Sequence, residues 1–218
     1  MSIEEICEKY GIKNYTINDD GSVDVDGLVD LSNEVLTEIP LNFNKVQGEF
    51  SCASNNLTDL KGSPKWVGGS FYCNHNNLTT LSGSPESVGG HFNCSNNKLT
   101  TLEGSPKSIG DGFDCDGNNL TSLKGCPKNI GQNFNADGNN IIDLIETPES
   151  LKGYMKLHYN PIESVIGSEV AYIEFLRAFN TFKIIKDGVV NLKRLKYVME
   201  IFDKPINIEE ILKYYKIK

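Results

Sequence analysis

The segment Phe71-Tyr72-Cys73-Asn74-His75-Asn76-Asn77-Leu78-Thr79-Thr80-Leu81 returns 21 residues later as Phe92-Asn93-Cys94-Ser95-Asn96-Asn97-Lys98-Leu99-Thr100-Thr101-Leu102. The register extends in both directions. Phe50, Phe71, Phe92, Phe113 and Phe134 share one column, with Cys52, Cys73, Cys94, Cys115 and Ala136 two residues on. Asn55, Asn76, Asn97, Asn118 and Asn139 follow, then Leu57, Leu78, Leu99, Leu120 and Ile141. Leu60, Leu81, Leu102, Leu123 and Leu144, five prolines from Pro64 to Pro148, and an apolar column Val67, Val88, Ile109, Ile130 and Leu151 complete the unit. Degenerate copies flank these, with Val29, Leu31, Leu36, Ile39 and Val46 upstream and Met155, Leu157, Asn160, Ile162 and Val165 downstream. Seven units therefore begin at residues 29, 50, 71, 92, 113, 134 and 155. A fixed period of this length marks a solenoid, in which no unit buries its apolar face alone.

The spacing of two between Phe and Cys sends both side chains to one side of a short strand and their neighbours to the other. Stacked units then form a parallel sheet. The Asn after each strand can donate to and accept from backbone groups in the turn, so stacked copies form a ladder over otherwise buried polar groups. Gly62, Gly83, Gly104 and Gly125, each followed shortly by proline, exclude a regular helix; the convex side is expected to be irregular, extended or 3₁₀. The paired glycines Gly68-Gly69 and Gly89-Gly90 redirect the chain into the next strand.

The ends require covers, because an exposed strand edge is an aggregation surface. Residues 1–28 are read as an N-terminal cap, with a short helix from Ile3 to Tyr10 and a hairpin of Tyr15-Thr16-Ile17 and Val23-Asp24-Val25 around Asn18-Asp19-Asp20-Gly21. Residues 29–167 carry the seven repeats. Residues 168–218 are read as a helical C-terminal cap: Ser168 as N-cap of a run through Val170, Ile173, Phe175, Leu176 and Phe179, then helices over Asn191 to Phe202 and Asn207 to Tyr215 divided by Pro205.

Segments such as Phe71-Tyr72-Cys73-Asn74-His75-Asn76-Asn77-Leu78 resemble the Leu-x-Leu-x-x-Asn-x-Leu core of the leucine-rich-repeat family. Phe and Cys replace the usual Leu at the strand positions and keep the inward face apolar. The resemblance implies an α/β solenoid with a short-stranded parallel concave sheet. Leu-Thr-x-Leu followed by Gly-x-Pro is similar to bacterial effector repeats, and the whole layout is similar to repeat proteins encoded by tailed bacteriophages. Effector repeats are often followed by a ubiquitin-ligase domain with a catalytic cysteine. No cysteine occurs after Cys126 here, so that activity is not expected.

Charge is uneven. Residues 1 to 167 carry 11 Lys and Arg against 22 Asp and Glu, whereas residues 168 to 218 carry 10 against 7. The acidic repeats are poorly suited to nucleic acid, since phosphate binding depends on clustered Lys and Arg. The opening Met1 to Lys9 lacks a basic start and apolar run, so no secretory signal is read, and no stretch approaches the ~18 apolar residues of a membrane span. A cytoplasmic protein with reduced cysteines is expected.

No catalytic or metal site emerges from the repeats. The four cysteines of one column form a line at ~4.8 Å spacing, whereas zinc requires ligands closing a tetrahedron at ~2.3 Å. His91 and His158 stand three strands, ~14 Å, apart. Asp24-Val25-Asp26-Gly27 and Asp114-Cys115-Asp116-Gly117-Asn118 resemble pieces of calcium loops but lack the bidentate Glu at position twelve. No cofactor is expected, and the chain reads as a non-enzymatic protein.

The outward positions one before, one after and three after each inward Phe leave a concave binding face. Its candidate residues are Tyr72, His91, Asp114, Asp116 and Asp137, with Tyr154 and His158 at the far margin. Tyrosine offers apolar area with a polar tip at low entropic cost, which suits a protein partner. The expected activity is binding of another protein, host or viral, by a chain that is monomeric when free and does not bind membranes or nucleic acid. A different class of function, an acidic mimic of nucleic acid, also fits the charge. A structural role in an assembly is the third reading.

Overall fold

Alternation along each strand places Phe and Cys in the core, and stacking aligns their copies. Phe50, Phe71, Phe92, Phe113 and Phe134 are fully buried, as are Cys52, Cys73, Cys94 and Cys115. The phenyl rings form a column with centroids 4.8 to 5.6 Å apart, a spacing at which aromatic pairs attract beyond simple area burial. The computed structural model describes residues 1–166 and 171–218. It is a β-solenoid of six turns between seven parallel strands, from Val29–Asp30 through Phe71–Tyr72 to Tyr154–Lys156. The strands pair in register, Phe71 opposite Phe92 and Phe92 opposite Phe113.

The extended segments on the other side are more regular than expected and form a second parallel sheet. Trp66–Val67, Ser87–Val88, Ser108–Ile109, Asn129–Ile130 and Ser150–Leu151 stack on Phe43–Val46, and the hairpin strands Tyr15–Ile17 and Val23–Val25 close that sheet at its N-terminal end. Only the second residue of each two-residue strand, Val67 and its counterparts, is buried. Between the two sheets the chain bends at glycine. A Cβ at Gly89 would collide with the carbonyl oxygen of Gly68 on the preceding turn. At Gly68, Gly89, Gly110 and Gly131 the corner therefore stacks backbone on backbone, with no room for a side chain.

The asparagine ladder is continuous. Asn97 Nδ2 donates to Cys73 O at 3.0 Å and Cys94 O at 3.1 Å, while its Oδ1 accepts from Leu78 N at 3.0 Å. Asn76, Asn118, Asn139 and Asn160 repeat the pattern. Each amide thus joins two turns through groups that would otherwise be buried without partners.

At the N-terminus, helix α1 (Ile3–Lys9) starts from a capping box of Ser2 and Glu5 and buries Cys7. At the C-terminus the cap differs from the all-helical expectation. Helix α2 (Glu163–Ile166) ends the last repeat, and the cap contains α3 (Ile173–Thr181), α4 (Leu192–Ile201) and a four-residue α5 (Ile208–Ile211). Beside them, Ile185–Lys186, Val189–Val190 and Lys216–Ile217 form a small sheet. Asp187 and Gly188, at φ 50 and 70°, make the turn between its first two strands, the pairing that tight hairpins favour. Ser168 and Val170, expected to open the first helix, lie outside the described residues. Ala171–Tyr172 pairs antiparallel with Tyr154–Lys156 and covers the last edge of the Phe sheet. Arg177 Nη2 donates to Glu149 O at 2.6 Å, and Tyr215 Oη to Ile142 O at 2.8 Å, tying the cap to the last turns. Among the described residues, no helix is long and apolar enough to cross a membrane.

Candidate binding face

The seven candidate residues are all half-buried, flanked by side chains on adjacent turns of the Phe sheet. The structure brings Tyr72, His91 and Asp114 into direct contact, and separately Asp137 and His158. The Tyr72 ring stands 6.3 Å from that of His91. His91 Nε2 lies 3.0 Å from Asp114 Oδ2, with side chains 26% and 30% exposed. Asp116 feels the charges of Asp114 and Asp137, and Asp137 Oδ1 accepts from His158 N at 2.7 Å. Tyr154, the seventh, is fixed by its backbone N–H donating to Asn133 Oδ1 at 3.2 Å.

The hydrogen bond to Asp114 holds the His91 imidazolium, and so raises the histidine above its ordinary value, with the Asp114 and Asp111 charges adding to the shift against desolvation. Burial chiefly raises Asp116, and its like-charged neighbours Asp114 and Asp137 raise it further.

Asn93, Ser95 and Asn135 stand at outward positions expected from the repeat, whereas the parts played by Gly112 and Glu163 were not foreseen. Asn135 Nδ2 donates to Asp116 Oδ1 at 3.2 Å, and Asn93 Oδ1 accepts from Ser95 Oγ at 2.7 Å. Gly112 gives His91 its place: a Cβ there would meet His91 Nδ1 at 2.8 Å. A column comparison contains this signal, since Gly112 stands where the other turns carry Glu49, Ser70, His91, Asn133 and Tyr154. Glu163, from α2, lies 3.6 Å from His158 Nδ1 through Oε1.

Nothing in this arrangement supplies an activated nucleophile. Burial pushes the thiols of Cys73, Cys94 and Cys115 well above their ordinary value, which suppresses the reactive thiolate. Among the described residues, no group of three or more His, Cys, Asp and Glu side chains is arranged to hold a metal ion. What the face offers is a row of oriented polar groups on a rigid sheet. Compared with known proteins, the chain matches no family model, no curated protein and no solved structure.

Proposed function

We propose that the chain is a non-enzymatic scaffold of leucine-rich-repeat type that binds another protein on the face from Tyr72 to His158. The observation carrying this reading is the preorganisation of that face. His91, Asp116 and Asp137 are already held by partners on neighbouring turns, so little side-chain entropy remains to be lost on association. Seven strands at ~4.8 Å give a surface ~30 Å long, enough for the ~800 Å² per partner of a standard interface. The repeat pattern's similarity to proteins of tailed bacteriophages supports a phage protein acting in the host cytoplasm on a host or viral target, in host takeover or counter-defence. The free chain is then a monomer that needs no cofactor.

A second reading is favoured by the row of carboxylates Asp114, Asp116 and Asp137 on neighbouring turns: an acidic surface that occupies the nucleic-acid site of a host enzyme. Salt separates the two. Partners captured from a bacterial lysate by the tagged chain stay bound between low and high ionic strength if a tyrosine-anchored interface holds them. They are lost steeply if the surface imitates phosphates.

A further inference from the structure

Beyond the concave sheet, the last repeat and the terminal cap enclose an open cleft of about 830 Å³, a volume within the roughly 300 to 1,000 Å³ of ligand pockets. One wall carries Tyr159 and Glu163, the other Tyr214, Glu210 and the segment around Pro205.

Tyr159 is anomalous in its column. The residue four after each inward strand position turns through a left-handed backbone, with φ between 54 and 64° at Ser54, His75, Asn96, Gly117, Gly138 and Tyr159. Glycine, asparagine and histidine tolerate this conformation; a bulky aromatic residue does so at a cost. No burial offsets that cost, for Tyr159 is 83% exposed. Its backbone is nevertheless fixed, since its N–H donates to Glu163 Oε2 at 2.6 Å. An exposed aromatic side chain on a strained backbone held at the mouth of a cleft answers to a ligand better than to folding.

The lining also selects the ligand's charge. Tyr214, 54% exposed, presents a second ring, and Glu163 and Glu210 present carboxylates, while no lysine or arginine lines the cleft among the described residues. Among the described residues Glu163 Oε1 lies 3.6 Å from His158 Nδ1, and Glu210 pairs with Lys213 at the rim. Aromatic faces and a carboxylate together fit a planar guanidinium, which stacks on a ring and donates to the acid.

We propose that this cleft is a second binding site, which takes an arginine side chain of an extended peptide segment. It does not depend on the concave face. The test is a titration of the full-length ¹⁵N-labelled chain with an acetylated, amidated Gly-Ala-Arg-Ala-Gly peptide, and with the same peptide carrying neutral citrulline. The arginine peptide is expected to shift the amides of residues 159–164 and 205–214 saturably, and the citrulline peptide to bind about tenfold more weakly or less, the scale of one desolvated cation–π contact. Tyr159→Asn restores a residue type the column already accepts. It is expected to melt at or above the wild-type temperature while weakening the arginine peptide about tenfold. The proposal is overturned by the absence of saturable shifts at millimolar peptide, by equal binding of citrulline, by shifts confined to the concave face, or by undiminished binding in Tyr159→Asn.

Discussion

Replacing Asn97 probes the ladder that holds the turns in register, and the geometry sets the magnitude. Its amide donates to Cys73 O, Cys94 O and Ser95 O and accepts from Leu78 N, at 3.0 to 3.2 Å and 8% exposure. Not all of these groups are orphaned by Asn97→Ala. Cys73 O still accepts from Asn76, and Cys94 O from Asn118. Leu78 N–H alone loses the acceptor that the ladder provides. One buried unsatisfied donor costs about 1–3 kcal/mol, and the lost bonds to shared carbonyls about 1 kcal/mol more, so the loss is roughly 2–4 kcal/mol. Asn97→Asp sharpens the test. The acid keeps an acceptor for Leu78 but places a carboxylate against the carbonyls of Cys73 and Cys94, which raises its pKa in the folded state. Sign follows from linkage: a raised folded pKa means that stability is lost as pH rises through the carboxylate range and recovered on acidification. At pH 7 the aspartate variant is therefore the less stable of the two, and below pH about 4 the order reverses. Urea unfolding of both variants at pH 7 and pH 3.5 reads this out as midpoint shifts at constant slope. A cost below about 0.5 kcal/mol for the alanine variant, or a pH-independent aspartate variant, would refute the reasoning.

Cys94→Ala is expected to fold, with a loss of about 1–2 kcal/mol on the scale of small core truncations. Mass spectrometry of the wild type should find every thiol reduced and no stoichiometric zinc. His91 has a folded pKa raised by Asp114, so its contribution to stability is complete below its unfolded value near 6.5 and lost as pH rises through the raised one. His91→Gln should flatten that part of the melting-temperature profile; an unchanged profile excludes the ion pair. Ending the chain after residue 167 should give aggregation, since Tyr215, Arg177 and the antiparallel Ala171–Tyr172 strand are lost from the end of the solenoid. A soluble monomer with unchanged melting contradicts the capping role.

The repeat made most of this fold readable. A 21-residue period fixed the inward Phe and Cys columns, the asparagine ladder and the outward row, because each follows from alternation and stacking alone. The second sheet was harder to see. Its repeated strands from Trp66–Val67 to Ser150–Leu151 have two residues and bury one, so they show no alternation that a strand pattern could match. The Asp187-Gly188 hairpin carried a standard turn signal that went unread between the two helical runs. Candidate-site pairings were least visible. His91 precedes the Phe of its own turn and meets Asp114, which follows the Phe of the next, a diagonal that depends on Gly112 leaving room for the ring. The strain at Tyr159 appears only once the column's left-handed backbone is known.

The central claim is that binding energy lies on the concave sheet. The most direct measurement compares what is retained from lysate by the wild-type chain, by the concave variant Tyr72→Ala with Asp114→Asn and Asp116→Asn, and by the convex variant Lys65→Ala with Lys107→Ala. Lys107 is paired with Glu86 at 3.2 Å in the open, so removing it should change stability by less than about 1 kcal/mol. With melting temperatures matched, the account predicts that the concave variant loses the retained protein by more than about 1 kcal/mol of affinity while the convex variant keeps it. Retention by the concave variant and loss by the convex one would contradict it.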